Sequence, residues 1–197
     1  MTEHTVSDLT PRERGRIVKS AVSPRPIAWI STRSRDGVDN LAPFSAYNYV
    51  SSAEPVVSFS VPAGDRDELK DTPRNVLETG EFAVNVASEA LAEEMDATSA
   101  SLDSDESEFD FADVERAPCT TIDPPRVAGA AVTMECTLYG TMTVHDRLLT
   151  LGDVRHVHVS DRVQTDGQID AEKLANVGRL GGPFYTDSEI IELQRQF

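Results

Sequence analysis

A chain of 197 residues with 39% hydrophobic content can bury one sizeable core, and its length suits one larger domain at least as well as two small ones. Its 34 acidic residues against 18 basic ones give a formal net charge of −16, which repels nucleic acid and anionic lipid and disfavours both as general partners. No apolar run approaches the roughly 20 residues that span a bilayer, and the polar start MTEHTVSDLTPRERGR has no apolar core of the secretory kind. The chain is therefore read as cytoplasmic, with no membrane partner.

Only three of the basic residues are lysines: Lys19, Lys70 and Lys173. A strongly acidic, lysine-poor surface stays hydrated where salt screens its self-repulsion, so a halophilic protein is expected. Cys119 and Cys136 lie 17 residues apart with no CxxC pair and no clustered histidine. No metal site is expected from them, and both are read as reduced thiols.

In chain order, residues 1–15 read as a flexible arm and residues 16–197 as the single folded domain, opening with a strand or short helix around Arg16 to Ser20. Ile27 to Thr32 is a β-favouring run that stops at the turn signal Ser34-Arg35-Asp36-Gly37, and Val38 to Ala42 resumes the sheet as a hairpin. Pro55 to Val61 is a further strand, its proline at the start where a missing N–H is tolerated. The stretch Asp71 to Gly80 then reads as a helix with Thr72 as N-cap, Pro73 as first residue and Gly80 as stop.

Phe82 to Val86 returns to strand, and Ser88 caps a helix through Leu91 and Met95. The acidic, serine-rich run Ser99 to Glu108 reads as a solvated loop. Two long strands follow, about Ala131 to His145 and Leu149 to Val159, joined at Asp146-Arg147. Asp170 to Asn176 is a helical turn, and Asp187 to Gln196 a final helix. Six or seven strands with a few peripheral helices, not alternating regularly, favour a mainly β, antiparallel barrel over a doubly wound sheet.

The usual nucleotide and hydrolase signatures are absent: no GxGxxG after a strand, no phosphate loop, no GxSxG and no HExxH. Two segments suit a flat, polar, anionic cofactor instead. Asn40, Leu41, Ala42, Pro43, Phe44 and Ser45 combine an amide, a hydroxyl, a ring and a proline-fixed strand end, whose backbone groups can read the edge of a heterocycle. Lys70, Asp71, Thr72, Pro73, Arg74 and Asn75 open a helix, where free N–H groups and the positive end of the dipole favour an anion.

The run SPRPIAWISTRSRDGVDNLAPFSAYNYVSSAEPVVSFSV, followed by KDTPRNVLETGEFAVNV, closely resembles the flavin reductase-like family of FMN-binding split barrels, in its flavoredoxin-type branch. Weaker matches continue at Met134-Glu135-Cys136, at His156 to Val159 and at Arg179 to Gly182 with Tyr185, so that roughly residues 18 to 186 are covered. Related sequences often carry two prolines before the Val-Val-Ser-Phe strand, where this chain has Glu54-Pro55.

The resemblance implies a homodimer holding FMN near its interface and reduced by NADH or NADPH. Carried over, it assigns Asn40 through Ser45 to the isoalloxazine ring, Asn48 to the ribityl chain or loop, and Ser60, Lys70, Asp71, Thr72 and Asn75 to the ribityl and phosphate. Arg66 is a lesser phosphate candidate. Hydride transfer to flavin needs no protein nucleophile, so no catalytic residue is expected, and His156 and His158 are read as structural. Trp29 is read as a core residue. Arg25, Arg179 and Tyr185 are weighed as further contacts, with a salt bridge to a carboxylate as the other reading of Arg25. Three functions follow: a flavin reductase, an FMN-bound electron-transfer protein serving a protein acceptor, and a flavin-binding module without turnover.

Overall fold

The computed structural model describes residues 1–65, 69–186, 190 and 193. Thr10 opens the first helix, α1 (Pro11–Ala21), through a capping box: its hydroxyl accepts from the Glu13 amide, and the Glu13 side chain accepts from the Thr10 amide. Pro11 occupies the first turn, where its missing N–H is no loss. The helix thus starts five residues before the Arg16 expected from sequence, and residues 11–15 of the expected arm belong to it.

Strands β1 (Arg25–Pro26), β2 (Ala28–Arg33), β3 (Asp39–Phe44), β4 (Tyr47–Ser51) and β5 (Val56–Pro62) follow. Helix α2 (Asp71–Thr79) leads into β6 (Glu81–Val86), and α3 (Ala92–Ala97) and α4 (Glu108–Phe111) precede the short pair β7 (Arg116–Ala117) and β8 (Arg126–Val127). The long hairpin is β9 (Val132–Val144) with β10 (Arg147–Val159). Its turn residues are His145 and Asp146, one position earlier than expected, with His145 at φ 53°. Beyond it lie β11 (Gln164–Thr165), β12 (Gln168–Ile169), α5 (Ala171–Leu174), β13 (Gly178–Arg179) and β14 (Tyr185–Thr186). The final helix expected from Asp187 lies largely outside the described residues.

Seven strands form one antiparallel sheet in the order β3-β2-β6-β9-β10-β5-β4. This is the mainly β architecture that the sequence implied, with β4 as a strand it did not foretell. The sheet curls so that Phe44 of the first strand in that order approaches Phe59 near the other end, ring centroids 5.5 Å apart. Phe59 in turn meets Phe82 at 5.4 Å, edge to face. These rings, with Ile30, Val57, Val61, Val84 and Cys136, fill the interior.

Gly152 belongs to that packing. A Cβ there would stand 2.2 Å from the Phe82 ring, so the ring lies where only glycine leaves room. A second apolar layer lies on the outer face of β2 and β3, where Trp29, Leu41, Met95, Phe109 and Val127 pack together. Strand β2 is therefore buried on both faces, and its alternation is invisible in the sequence. Trp29 is fully buried and donates through its indole N–H to the Thr98 hydroxyl at 2.9 Å. Among the described residues no helix is long and apolar enough to cross a membrane.

Candidate functional site

Strand β3 is an edge of the sheet and pairs only with β2, so alternate backbone groups point away from the ladder. The Leu41 amide is one of them, because it donates to the Glu108 carboxylate at 3.0 Å and not to β2. Two residues on, Pro43 shares that outward phase, and there its lack of an N–H costs the ladder nothing. The strand end from Ala42 to Ser45 thus offers backbone acceptors and donors to whatever lies against its open side.

Helix α2 packs its start beside this edge. Lys70 is the N-cap, two residues before the Thr72 that Pro73 at N1 would require, and no side chain caps the helix. The Asp71 and Thr72 amides are left for an outside acceptor, while Pro73 has none to offer. Gly80 closes the helix at φ 75°. Thr72, expected as the cap, lies in the first turn and is 2% exposed. Its hydroxyl donates to the Asn40 side-chain oxygen at 2.6 Å.

Asn40 is the hub of a buried polar network. Its oxygen also accepts from Thr32 at 3.2 Å, its amide nitrogen donates to Glu108 at 2.8 Å, and Asn75 donates to the Thr32 hydroxyl at 3.0 Å. Asn75 Oδ1 is buried with no hydrogen-bond partner among the described residues.

Glu108 was assigned to a solvated loop on its sequence, yet it is 6% exposed. The next residue explains this. Phe109 is buried in the outer apolar layer with the Arg116 guanidinium 4.8 Å above its ring, and Arg116 is tied to Asp39 and Asp110. Anchoring Phe109 carries Glu108 against Asn40. Burial raises the Glu108 carboxyl above the ordinary range, although hydrogen bonds from Leu41 and Asn40 oppose that.

Two clefts meet at Pro43 and Ser99. One, of about 290 Å³, is lined by Asn40, Ala42, Phe44, Lys70, Thr72 and Glu108 among others. The other, of about 430 Å³, is lined by Lys19, Arg25, Ser45, Asp96, Arg179 and Tyr185 among others. Both sizes are in keeping with small-molecule sites. In the larger cleft Arg25 donates to the Lys19 and Leu180 carbonyls at 2.5 and 2.9 Å, and Arg179 to the Gly182 carbonyl at 2.7 Å. Arg25 is thus held by backbone and not by the carboxylate weighed for it. Arg179 stacks on Tyr185 at 4.3 Å, and the Tyr185 hydroxyl donates to Asp96 at 2.5 Å.

Of the residues singled out in the sequence, Asn40, Ala42, Pro43, Phe44, Lys70, Asp71 and Thr72 line the smaller cleft, and Pro43 and Ser45 the larger. Leu41 is fully buried in the core, and Asn75 lies behind the wall in the network. Asn48, exposed on β4, and Ser60, which accepts from Arg147 at 3.3 Å, line neither cleft. Arg66 lies outside the described residues. Glu108 is the site residue that sequence reasoning missed. The signal was Phe109, an aromatic residue that ends the solvated run and is buried in the outer layer, whereas Phe111 two residues on is exposed.

A curled antiparallel sheet with an open strand edge beside an uncapped helix start is the arrangement of a split barrel. The family model described as "Flavin reductase like domain" matches residues 20–174, and the chain belongs to that family. It is 38% identical over 171 residues to an uncharacterized protein of Aquifex aeolicus, covering 86% of this chain and 87% of that one. A Bacillus subtilis relative is 36% identical over 185 residues, with 90% of each covered.

Among solved structures, nitrilotriacetate monooxygenase component B from Bacillus cereus superposes with a TM-score of 0.91 at 32% identity, over 98% of both chains. The 2-nitrobenzoate 2-nitroreductase of Pseudomonas fluorescens superposes at 0.90 with 28% identity, over 99% of this chain and 96% of that one. The flavoredoxin of Desulfovibrio vulgaris shares the fold at 0.77 with 20% identity, over 88% and 91%.

Proposed function

We propose that this chain is an FMN-dependent oxidoreductase of the NAD(P)H:flavin reductase type, with FMN lying across Pro43 from one cleft to the other. The observation that carries this reading is the meeting of the two clefts along the open edge of β3, with an uncapped helix start at one end. When bound, FMN would supply the hydride and electron chemistry. The chain's own residues would do the holding: Ala42 to Ser45 read the ring edge through backbone groups, and Lys70 with the Asp71 and Thr72 amides takes the phosphate. The Thr72 hydroxyl is not among those donors, because its hydrogen is given to Asn40.

NADH or NADPH as donor, a second copy of the chain as partner and a protein as onward acceptor belong to the same proposal. Exposed Ile17 and Val18 on α1 with Val22 just after it, and Tyr139 and Met142 on the β9–β10 hairpin, support self-association. The name of the B. cereus structure, a monooxygenase component, supports a protein acceptor.

The test is the absorbance spectrum of FMN-loaded protein under anaerobic conditions, before and after each nicotinamide. Bleaching by NADH or NADPH is expected. A yellow protein bleached by neither would overturn the reductase reading and leave an electron carrier. Colourless protein whose thermal midpoint FMN does not raise would overturn flavin binding itself.

A further inference from the structure

On the far side of β9 and β10 from the barrel's aromatic core, three metal-ligating side chains converge. In the hairpin register Val154 opposes Cys136 and His156 opposes Glu135, so Arg155 is an extra residue in a β-bulge. The bulge brings His156 directly opposite Glu135, on one face of the sheet, and His158 follows two residues on along that face. The Glu135 carboxylate and the two imidazoles present ligand atoms all within 4.8 Å of one another. The His158 Nε2 is 2.5 Å from Glu135 Oε1, and the two rings stand 4.9 Å apart, edge to face.

The carboxylate is fully buried, and its orientation is fixed from behind. The Thr120 amide donates to Oε1 at 2.6 Å, and the Thr121 amide and hydroxyl both donate to Oε2 at 2.6 Å. Such outer contacts are what aim a ligating carboxylate. Within 4 Å its ion-pair partner among the described residues is His158 alone, with no lysine or arginine. The imidazoles are partly exposed, so the side opposite the threonines opens toward solvent.

We propose that Glu135, His156 and His158 form a binding site for a divalent transition ion of the zinc class, with a further position open to water. Two imidazoles and one carboxylate are a common ligand set for zinc. Placing an ion between Glu135 and His158 would widen their contact from 2.5 Å to about 3 Å, since each ligand bond is about 2 Å. By tying Glu135 to β10, the ion would also fasten the Thr120–Thr121 segment to the hairpin. This proposal is independent of the flavin reading, because none of its ligands lines either cleft.

The test uses the full chain without a polyhistidine tag, stripped by chelator and titrated with Zn²⁺ in a calorimeter, with Co²⁺ as a spectroscopic substitute. About one Zn²⁺ per chain should bind at micromolar or tighter affinity, Co²⁺ should give visible bands of low coordination number, and saturation should raise the thermal midpoint by about 5 °C or more. The His156→Ala/His158→Ala double variant should bind Zn²⁺ at least about a hundredfold more weakly. Its circular dichroism should match the parent's, because both imidazoles are partly exposed. If that variant does not fold, the single variant His156→Asn is titrated in its place, with the same weakening expected. Absence of Zn²⁺ binding up to about millimolar concentration, or binding unchanged in the folded variant, would overturn the proposal.

Discussion

The two clefts that meet at Pro43 are built from different materials. The larger carries three cations, Lys19, Arg25 and Arg179, against the single carboxylate Asp96, but its two guanidinium groups are held by main-chain carbonyls of the segments they join. The smaller has one cation, Lys70, against Asp71 and Glu108, and Asp71 is paired with Arg74. Lys70 is exposed and has no ion-pair partner among the described residues. Counting charges would put an anion in the larger cleft, but Lys19 is the one uncommitted cation there, Lys70 matches it in the smaller, and only the smaller adds the open first amides of α2. The lesson is that a donor's availability, and not its formal charge alone, decides where an anion can be bound.

The sharpest way to break this comparison is at the hub of the smaller cleft. Asn40→Ala removes three hydrogen bonds and leaves buried Glu108 and Thr72 short of a partner, so it should cost about 3 kcal/mol and lower the thermal midpoint by about 6–12 °C. Ser45→Ala, on the larger cleft, should cost under about 1 kcal/mol. Equal losses in the two variants, measured by urea or thermal unfolding, would mean that the network does not hold the smaller cleft.

The next effect concerns affinity. Lys70→Ala should weaken FMN binding about tenfold, the value of one charge-assisted contact, while Arg179→Ala should change it by less than about threefold. The reverse ranking in a fluorescence titration would turn the cofactor end for end.

The smallest effect depends on pH. Because burial raises the Glu108 carboxyl in the folded chain, the folded form keeps its proton to higher pH than the unfolded form. Its favourable contribution is complete below the unfolded value and is lost as pH rises through the raised folded value. Glu108→Gln keeps an oxygen for both donors, which share one carboxylate oxygen, and removes the titration. Stability of the variant relative to the parent should therefore rise with pH across that window and then level off. At pH 8 the variant should also bind FMN a few times more tightly, about threefold for one charge in a partly solvated cleft, with the difference vanishing in acid. A difference that persists in acid would exclude the charge as its cause.

Much of this site was legible because its signals are local. The β-favouring run from Ile27 to Thr32, the turn at Gly37 and the prolines at strand ends mark β2, β3 and β5, and Pro73 with Gly80 brackets α2 within a residue or two. The capping box at Thr10 and Glu13 was equally local and foretells the true start of α1. What stayed hidden depends on distant partners. Nothing within the acidic run shows that Glu108 meets Asn40 across 68 positions, because that contact follows from Phe109 joining the outer core. Glu135 and His156 are brought together by a bulge that shifts register by one residue, and no spacing rule along the chain encodes it. The cap of α2 was misjudged because Thr72 is a better cap by type than Lys70, but its hydroxyl finds Asn40 instead.

Trp29, the single tryptophan of the chain, stands directly behind this site. Its indole is bonded to Thr98, and the following residue, Ser99, forms the wall shared by both clefts. A buried indole emits from one uniform environment, and a yellow ring absorbs at the wavelengths where indoles emit. The fold therefore contains its own optical gauge: filling the clefts with flavin should dim the tryptophan emission in proportion to occupancy, without any label.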